Sequence, residues 1–133
     1  MTLTATCHCG ATRIELPHLP ADIKECNCSY CQRIAGIWGY FDPDEINIVS
    51  ADKDTVYSAS DNINRHHFCA NCGSTTHGSS PDWGSLYNLD GTLKPGKTAG
   101  VPTDRLVAVN LRMIDDLDLA TLDIVKVDGR KSW

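Results

Sequence analysis

A chain of 133 residues and 14.5 kDa has room for one domain of ordinary size, because a second independent core would leave each half near the lower limit for folding alone. Hydrophobic residues at 41% and charged residues at 22%, with three Trp, four Tyr and two Phe, describe a globular protein rather than a disordered one. Twelve basic against seventeen acidic side chains, a net charge of −5, argue against nucleic acid as a partner, and the absence of an apolar run near the roughly 20 residues that span a bilayer argues against a membrane helix.

In chain order, short stretches of alternating apolar and β-branched residues predict strands at 2–6, 11–16, 37–41, 46–49, 55–58, 65–68, 74–77 and 105–110. Turn signals lie between them: Asp42-Pro43-Asp44, Ser60-Asp61-Asn62, Ser80-Pro81-Asp82 and Asp90-Gly91. Residues 30–35 predict one or two helical turns and 115–119 a further short turn, and no segment sustains a 3.6-residue apolar stripe. The expected class is mainly β with little helix, in one domain over 1–133. Residues 91–103, with three Gly, two Pro, Lys94 and Lys97, predict a surface excursion. The first residues, Met1-Thr2-Leu3-Thr4-Ala5-Thr6, lack the basic and apolar regions of a signal peptide, so a cytoplasmic location is expected.

The seven cysteines fall into three tight groups, Cys7-x-Cys9-Gly10, Cys26-x-Cys28-x-x-Cys31 and Cys69-x-x-Cys72-Gly73. In a reducing compartment an odd number of clustered thiols points to metal ligands rather than disulfides. The Cys69/Cys72 knuckle brings two thiolates to one ion, and Cys7 and Cys9 share a face of an extended segment, so together they predict a closed zinc site of four cysteines. Four thiolates around a dication carry a formal charge of −2 and leave no vacant position, which suits a structural role.

Cys26, Cys28 and Cys31 offer a local tripod of three thiolates. With no eighth cysteine, this site is either closed by one of His8, His18, His66, His67 and His77 or keeps an open coordination position. An open site lowers the pKa of a bound thiol, which could then attack an aldehyde carbonyl. Arg33 and Arg65 are candidate carboxylate receivers, with solvated surface charge as the plainer reading. Trp38, Tyr40 and Phe41 read as core residues or as pocket walls, and Tyr30 as a packing residue or an oxyanion donor. His66 and His67 alternate on a strand, so at most one faces a given site.

The three cysteine groups in this order, with Gln32-Arg33 after the second, Phe68 and Ser74 around the third, and the later Val109-Asn110-Leu111-Arg112 and Val127-Asp128-Gly129-Arg130, resemble the glutathione-dependent formaldehyde-activating enzyme family, which includes the centromere protein V domain. The resemblance implies a β-tent fold of antiparallel sheets and two zinc ions per chain: a structural one on Cys7, Cys9, Cys69 and Cys72, and a catalytic one on Cys26, Cys28 and Cys31. It further implies a carbon–sulfur lyase-type activity on the adduct of a glutathione-like thiol and an aldehyde such as formaldehyde. Asn27 and Gln32 depart from the pattern, standing where the family often has His and a basic residue. The alternative from another class is a zinc-stabilised protein-interaction module with 91–103 as a contact surface.

Overall fold

A computed structural model describes residues 2–133, and ten strands account for most of their regular structure. Strands β1 (Leu3–Thr6), β2 (Thr12–Leu16) and β5 (Asn47–Ala51) form an antiparallel three-stranded sheet. The second sheet has seven strands: β3 (Ile23–Cys26), β4 (Trp38–Phe41), β6 (Asp54–Tyr57), β7 (Arg65–Cys69), β8 (Thr75–Pro81), β9 (Arg105–Asn110) and β10 (Val125–Val127), in the order β10-β3-β4-β9-β8-β7-β6. Helix is confined to α1 (Ser29–Ile34), α2 (Gly129–Ser132) and three 3-10 turns. The mainly β class is as expected. The pairing of β10 with β3 is parallel, so the large sheet is mixed rather than wholly antiparallel.

The eight expected strands are present with ends shifted by a few residues, while β3 and β10 lie outside them. Both are only three or four residues long and carry Lys24, Glu25 and Lys126 where an apolar alternation would be read. β10 is an edge strand with Lys126 on the outside, and charge on an edge protects it from pairing with other chains. β8 runs to Pro81, past the turn expected at 80–82, because β9 pairs with it as far as Pro81↔Arg105 and proline is tolerated at a strand end. The short turn expected over 115–119 is present at Asp115 and Asp116, with 3-10 turns at Leu111–Met113 and Leu119–Thr121 on either side. Residues 91–103 are mostly exposed, as an excursion should be.

Ala5, Ile14 and Leu16 of the small sheet, Ile23, Phe41 and Val109 of the large one, and Leu111, Met113 and Ile114 after β9 make one buried core that also contains Cys7 and Cys69. Opposed pairs in the large sheet fix which residues share a face. Ile23, Gly39, Val109, His77 and His67 form one row on the core face. Gly39 must lack a side chain there, since a Cβ would lie 2.7 Å from Pro20 and 2.9 Å from Leu111. The next row, Tyr40, Ala108, Gly78, His66 and Tyr57, occupies the other face. That outer face carries the second cysteine group. No helix among the described residues is long and apolar enough to cross a membrane.

Candidate metal centres

The sulfurs of Cys7, Cys9, Cys69 and Cys72 lie within 4.8 Å of one another, with Cys9 Sγ 3.7 Å from both Cys7 Sγ and Cys69 Sγ. Two tight turns bring them together. After Cys7 the chain reverses through Gly10 at φ 82°, and Cys7 N–H donates to Thr12 C=O at 3.1 Å. After Cys69 it reverses through Gly73 at φ 77°, and Gly73 N–H donates to Cys69 C=O at 2.8 Å. Both glycines occupy the left-handed region that other residues avoid. The N–H of Thr12 points at Cys7 Sγ from 3.2 Å, and Ser74 together with the N–H of Cys9 pushes the Cys72 thiol down to about 5. The turns thus supply donors that favour thiolates before any cation is considered.

Cys26, Cys28 and Cys31 form a second cluster, again within 4.8 Å. Cys26 ends β3, and Cys28 caps α1, its sulfur accepting from Cys31 N–H at 3.4 Å. Cys28 N–H in turn donates to Cys26 Sγ at 3.3 Å. Burial pushes the Cys28 thiol up, but donors from Cys31, Cys26 and Tyr30 outweigh it and the thiol lies below its ordinary value. Burial, then the neighbouring Cys28 charge, pushes Cys31 up. The indole N–H of Trp38 is buried without a partner of normal hydrogen-bond geometry and is aimed at Cys31 Sγ, whose anionic form it favours. Three clustered sulfurs with an orphaned donor directed at one of them fit a thiophilic metal ion, which removes the mutual repulsion of the thiolates.

None of the five histidines joins this cluster among the described residues. His66 lies on the same face, stacked on Tyr30 with ring centroids 3.7 Å apart. His67 and His77 are on the opposite face, His18 reaches Leu19 C=O, and His8 sits on the first cysteine turn. Tyr40 lies on the other side of the cluster under Lys24, and burial followed by the Cys31 charge raises its phenol. Between Tyr40 and His66 the row holds only the small residues Ala108 and Gly78. Arg33 donates to Ser29 C=O within its own helix and is exposed. Arg65 belongs to the face opposite His66 and is exposed too. Solvated charge describes both.

Two arginines that the spacing did not single out lie closer to the centres. Arg112 donates to Ala35 C=O at 2.7 Å and lines a cleft of about 380 Å³ with Ile34, Gly73, Ser74, Thr75, Asn110 and Met113, between α1 and the four-cysteine turn. Arg130 clasps the three-cysteine loop. Its backbone N–H donates to Asn27 Oδ1 at 3.0 Å, its Nε to Asn27 C=O at 3.3 Å and its Nη2 to Gln32 Oε1 at 2.8 Å. Asn27 Nδ2 donates to Asp128 Oδ1 at 3.0 Å. The two departures from the family pattern are therefore bound to one another through the end of the chain, in the segment Val127-Asp128-Gly129-Arg130.

Gly129 closes the packing behind the loop. A Cβ on it would lie 2.6 Å from Cys26 Sγ, 2.8 Å from Trp133 Nε1 and 3.1 Å from Cys28 Cβ, and its own N–H favours the Cys26 thiolate. Gly129→Ala is expected to displace the Cys26 sulfur and loosen this centre alone. Metal analysis after a brief challenge with a chelator should show one equivalent fewer than in the wild type, with the melting transition retained. Equal retention in both proteins would mean that Cys26 is not held by this contact.

The family model described as glutathione-dependent formaldehyde-activating enzyme matches residues 2–100. A curated protein of Halomonas elongata, named "Putative glutathione-dependent formaldehyde-activating enzyme", is 34% identical over 99 residues, covering 66% of this chain. The chain spans 62% of the length of that relative. A crystal structure of a Rhodobacter sphaeroides protein superposes with a TM-score of 0.64 at 26% identity, covering 95% of this chain and 98% of that one. The chain belongs to the glutathione-dependent formaldehyde-activating enzyme family.

Proposed function

We propose that this chain is a single zinc-binding domain that makes or breaks the carbon–sulfur bond between a small thiol of the glutathione type and formaldehyde or a related aldehyde. The observation that carries the reading is the three-cysteine cluster, which gathers no fourth protein ligand among the described residues and lies on the sheet face that carries Tyr40 and His66. In this reading Cys7, Cys9, Cys69 and Cys72 hold a structural zinc, and Cys26, Cys28 and Cys31 hold a catalytic one. A zinc ion on three thiolates, with formal charge −1, supplies a position at which a substrate thiol is favoured as thiolate.

The remaining chemistry belongs to the chain. When thiol adds to formaldehyde, a carbon–sulfur bond forms, the carbonyl π bond breaks, and the thiol proton ends on the new hydroxyl oxygen. His66, kept neutral because burial disfavours its charged form, is placed to take that proton and return it. Tyr30, its phenol beside Thr75 and raised chiefly by burial, remains protonated and can donate to the carbonyl oxygen. Ala108 is a small residue in the row between Tyr40 and His66, so Ala108→Leu should crowd that face and lower kcat/KM about tenfold or more without changing metal content.

Elemental analysis of freshly purified, reduced protein should return about two zinc per chain, and exchange spectroscopy should show faster interconversion of formaldehyde, glutathione and their adduct than in buffer. A two-zinc protein without acceleration for glutathione or other small thiols would overturn the lyase reading and leave the interaction module. Acid should separate the centres. The three-cysteine site has one thiolate fewer to hold an ion against protons. As pH falls, protons should displace zinc from the three-cysteine site first, giving two steps of one equivalent each in a chelator-indicator titration.

A further inference from the structure

A third cluster of ligating side chains lies on the core face of the large sheet, beside the strand end that carries Cys69, and shares no residue with either cysteine centre. Asp54 on β6, His67 on β7 and His77 on β8 occupy neighbouring strands, and their ligating atoms lie within 4.8 Å of one another. His67 and His77 are directly opposed. Asp54 opposes Cys69, two residues beyond His67 on the same face, so its carboxylate reaches His67 diagonally.

The hydrogen bonds fix where the lone pairs are. The Thr76 hydroxyl donates its one hydrogen to His67 C=O at 3.2 Å, so in its 2.9 Å contact with His77 it accepts from Nδ1–H. His77 therefore presents an unprotonated Nε2. Its Thr76 partner is fully buried and the ring itself is 4% exposed, so this tautomer is locked in place, and burial holds the imidazole neutral by pushing it down to about 4. Asp54 accepts from His67 Nδ1–H at 2.8 Å, which leaves Nε2 of His67 as the second lone pair. His77, with Nδ1–H pinned by oxygen and Nε2 open, has the support that metal-binding histidines require, and Asp54 holds His67 beside it.

We propose that Asp54, His67 and His77 form a third metal site, for a divalent first-row transition ion of the kind that takes imidazole and carboxylate ligands. It stands independently of the reading given to the cysteine centres. The two rings are stacked, with centroids 4.2 Å apart and planes 17° from parallel, so one ion cannot lie in both planes until a ring turns. His67 is the ring that turns. It is the more exposed of the two, and turning takes its Nδ1–H off Asp54, which frees that carboxylate to serve as the third ligand. The stack is what a weak or regulated site exchanges for coordination, and a set of two nitrogens and one oxygen leaves positions free for water or a small anion.

The test is a calorimetric titration of zinc-loaded protein, its zinc content already measured, with nickel chloride near pH 7.5. One further equivalent is expected to bind at micromolar nickel without release of zinc, with a rise in melting temperature. His67→Ala and Asp54→Asn, both at partly exposed positions, should weaken that binding at least tenfold, and His18→Ala should leave it unchanged. In ring-nitrogen NMR the Nε2 signals of His67 and His77 should be the ones that respond. No saturable equivalent, the same equivalent in His67→Ala, or nickel uptake matched by zinc release would each overturn the proposal.

Discussion

Cys69→Ser is expected to leave the domain unfolded. Cys69 is fully buried in the hydrophobic core with Cys7 at 3% exposure, while Cys72 is half-buried and Cys9 exposed, so a metal on these four would tie the edge of the core to the surface turns. A structural zinc contributes about 10–16 kcal/mol of apparent binding free energy, and domains of this size are stable by about 5–15 kcal/mol. Losing one of four thiolates, and leaving a serine hydroxyl in its place, therefore exceeds what the two sheets can supply. Far-ultraviolet circular dichroism and metal content check this together. A variant that melts cooperatively within a few degrees of the wild type while holding one metal fewer would show that the four-cysteine centre is not structural.

Cys28→Ser should do the reverse, abolishing turnover while keeping the fold. All three cysteines of this group are half-buried on a loop and helix end, outside the core cluster. Cys28 also caps α1, accepting from Cys31 N–H, and serine is a good residue at that position. The expected change in stability is within about 1 kcal/mol. Activity should fall by about a hundredfold or more, because the loss touches the group that positions and activates the thiol. Full activity in Cys28→Ser would falsify the proposed mechanism, and since the cap survives the substitution, a loss of activity cannot be laid to a melted helix.

How much of this was legible beforehand depended on sequence distance. Cys26, Cys28 and Cys31 lie within six residues, so spacing alone placed three sulfurs together, and the Cys69/Cys72 turn was equally local. The alternation of His66 and His67 also placed them correctly on opposite faces. The clasp formed by Arg130 with Asn27 and Gln32 was hidden because its partners are separated by 103 and 98 residues and meet only through the parallel β10–β3 pairing. β10 itself was hidden because Val125-Lys126-Val127 is too short for a pattern. The grouping of Asp54, His67 and His77 depends on the register of three strands, one of which shifts between His67 and Phe68. Composition says nothing about such a shift.

The parallel pairing of β10 with β3 also sets an order of events during synthesis. The ligands of the four-cysteine centre have all emerged once Cys72 is clear of the ribosome, and the core around Cys7 and Cys69 can begin to form there. The loop of Cys26, Cys28 and Cys31 has emerged earlier still, yet its second wall, from Val127 to Arg130, arrives only about a hundred residues later. A nascent chain therefore carries three early thiols without their clasp while roughly the next hundred residues are added. In that interval they are open to capture by whichever thiophilic ion or oxidant reaches them first.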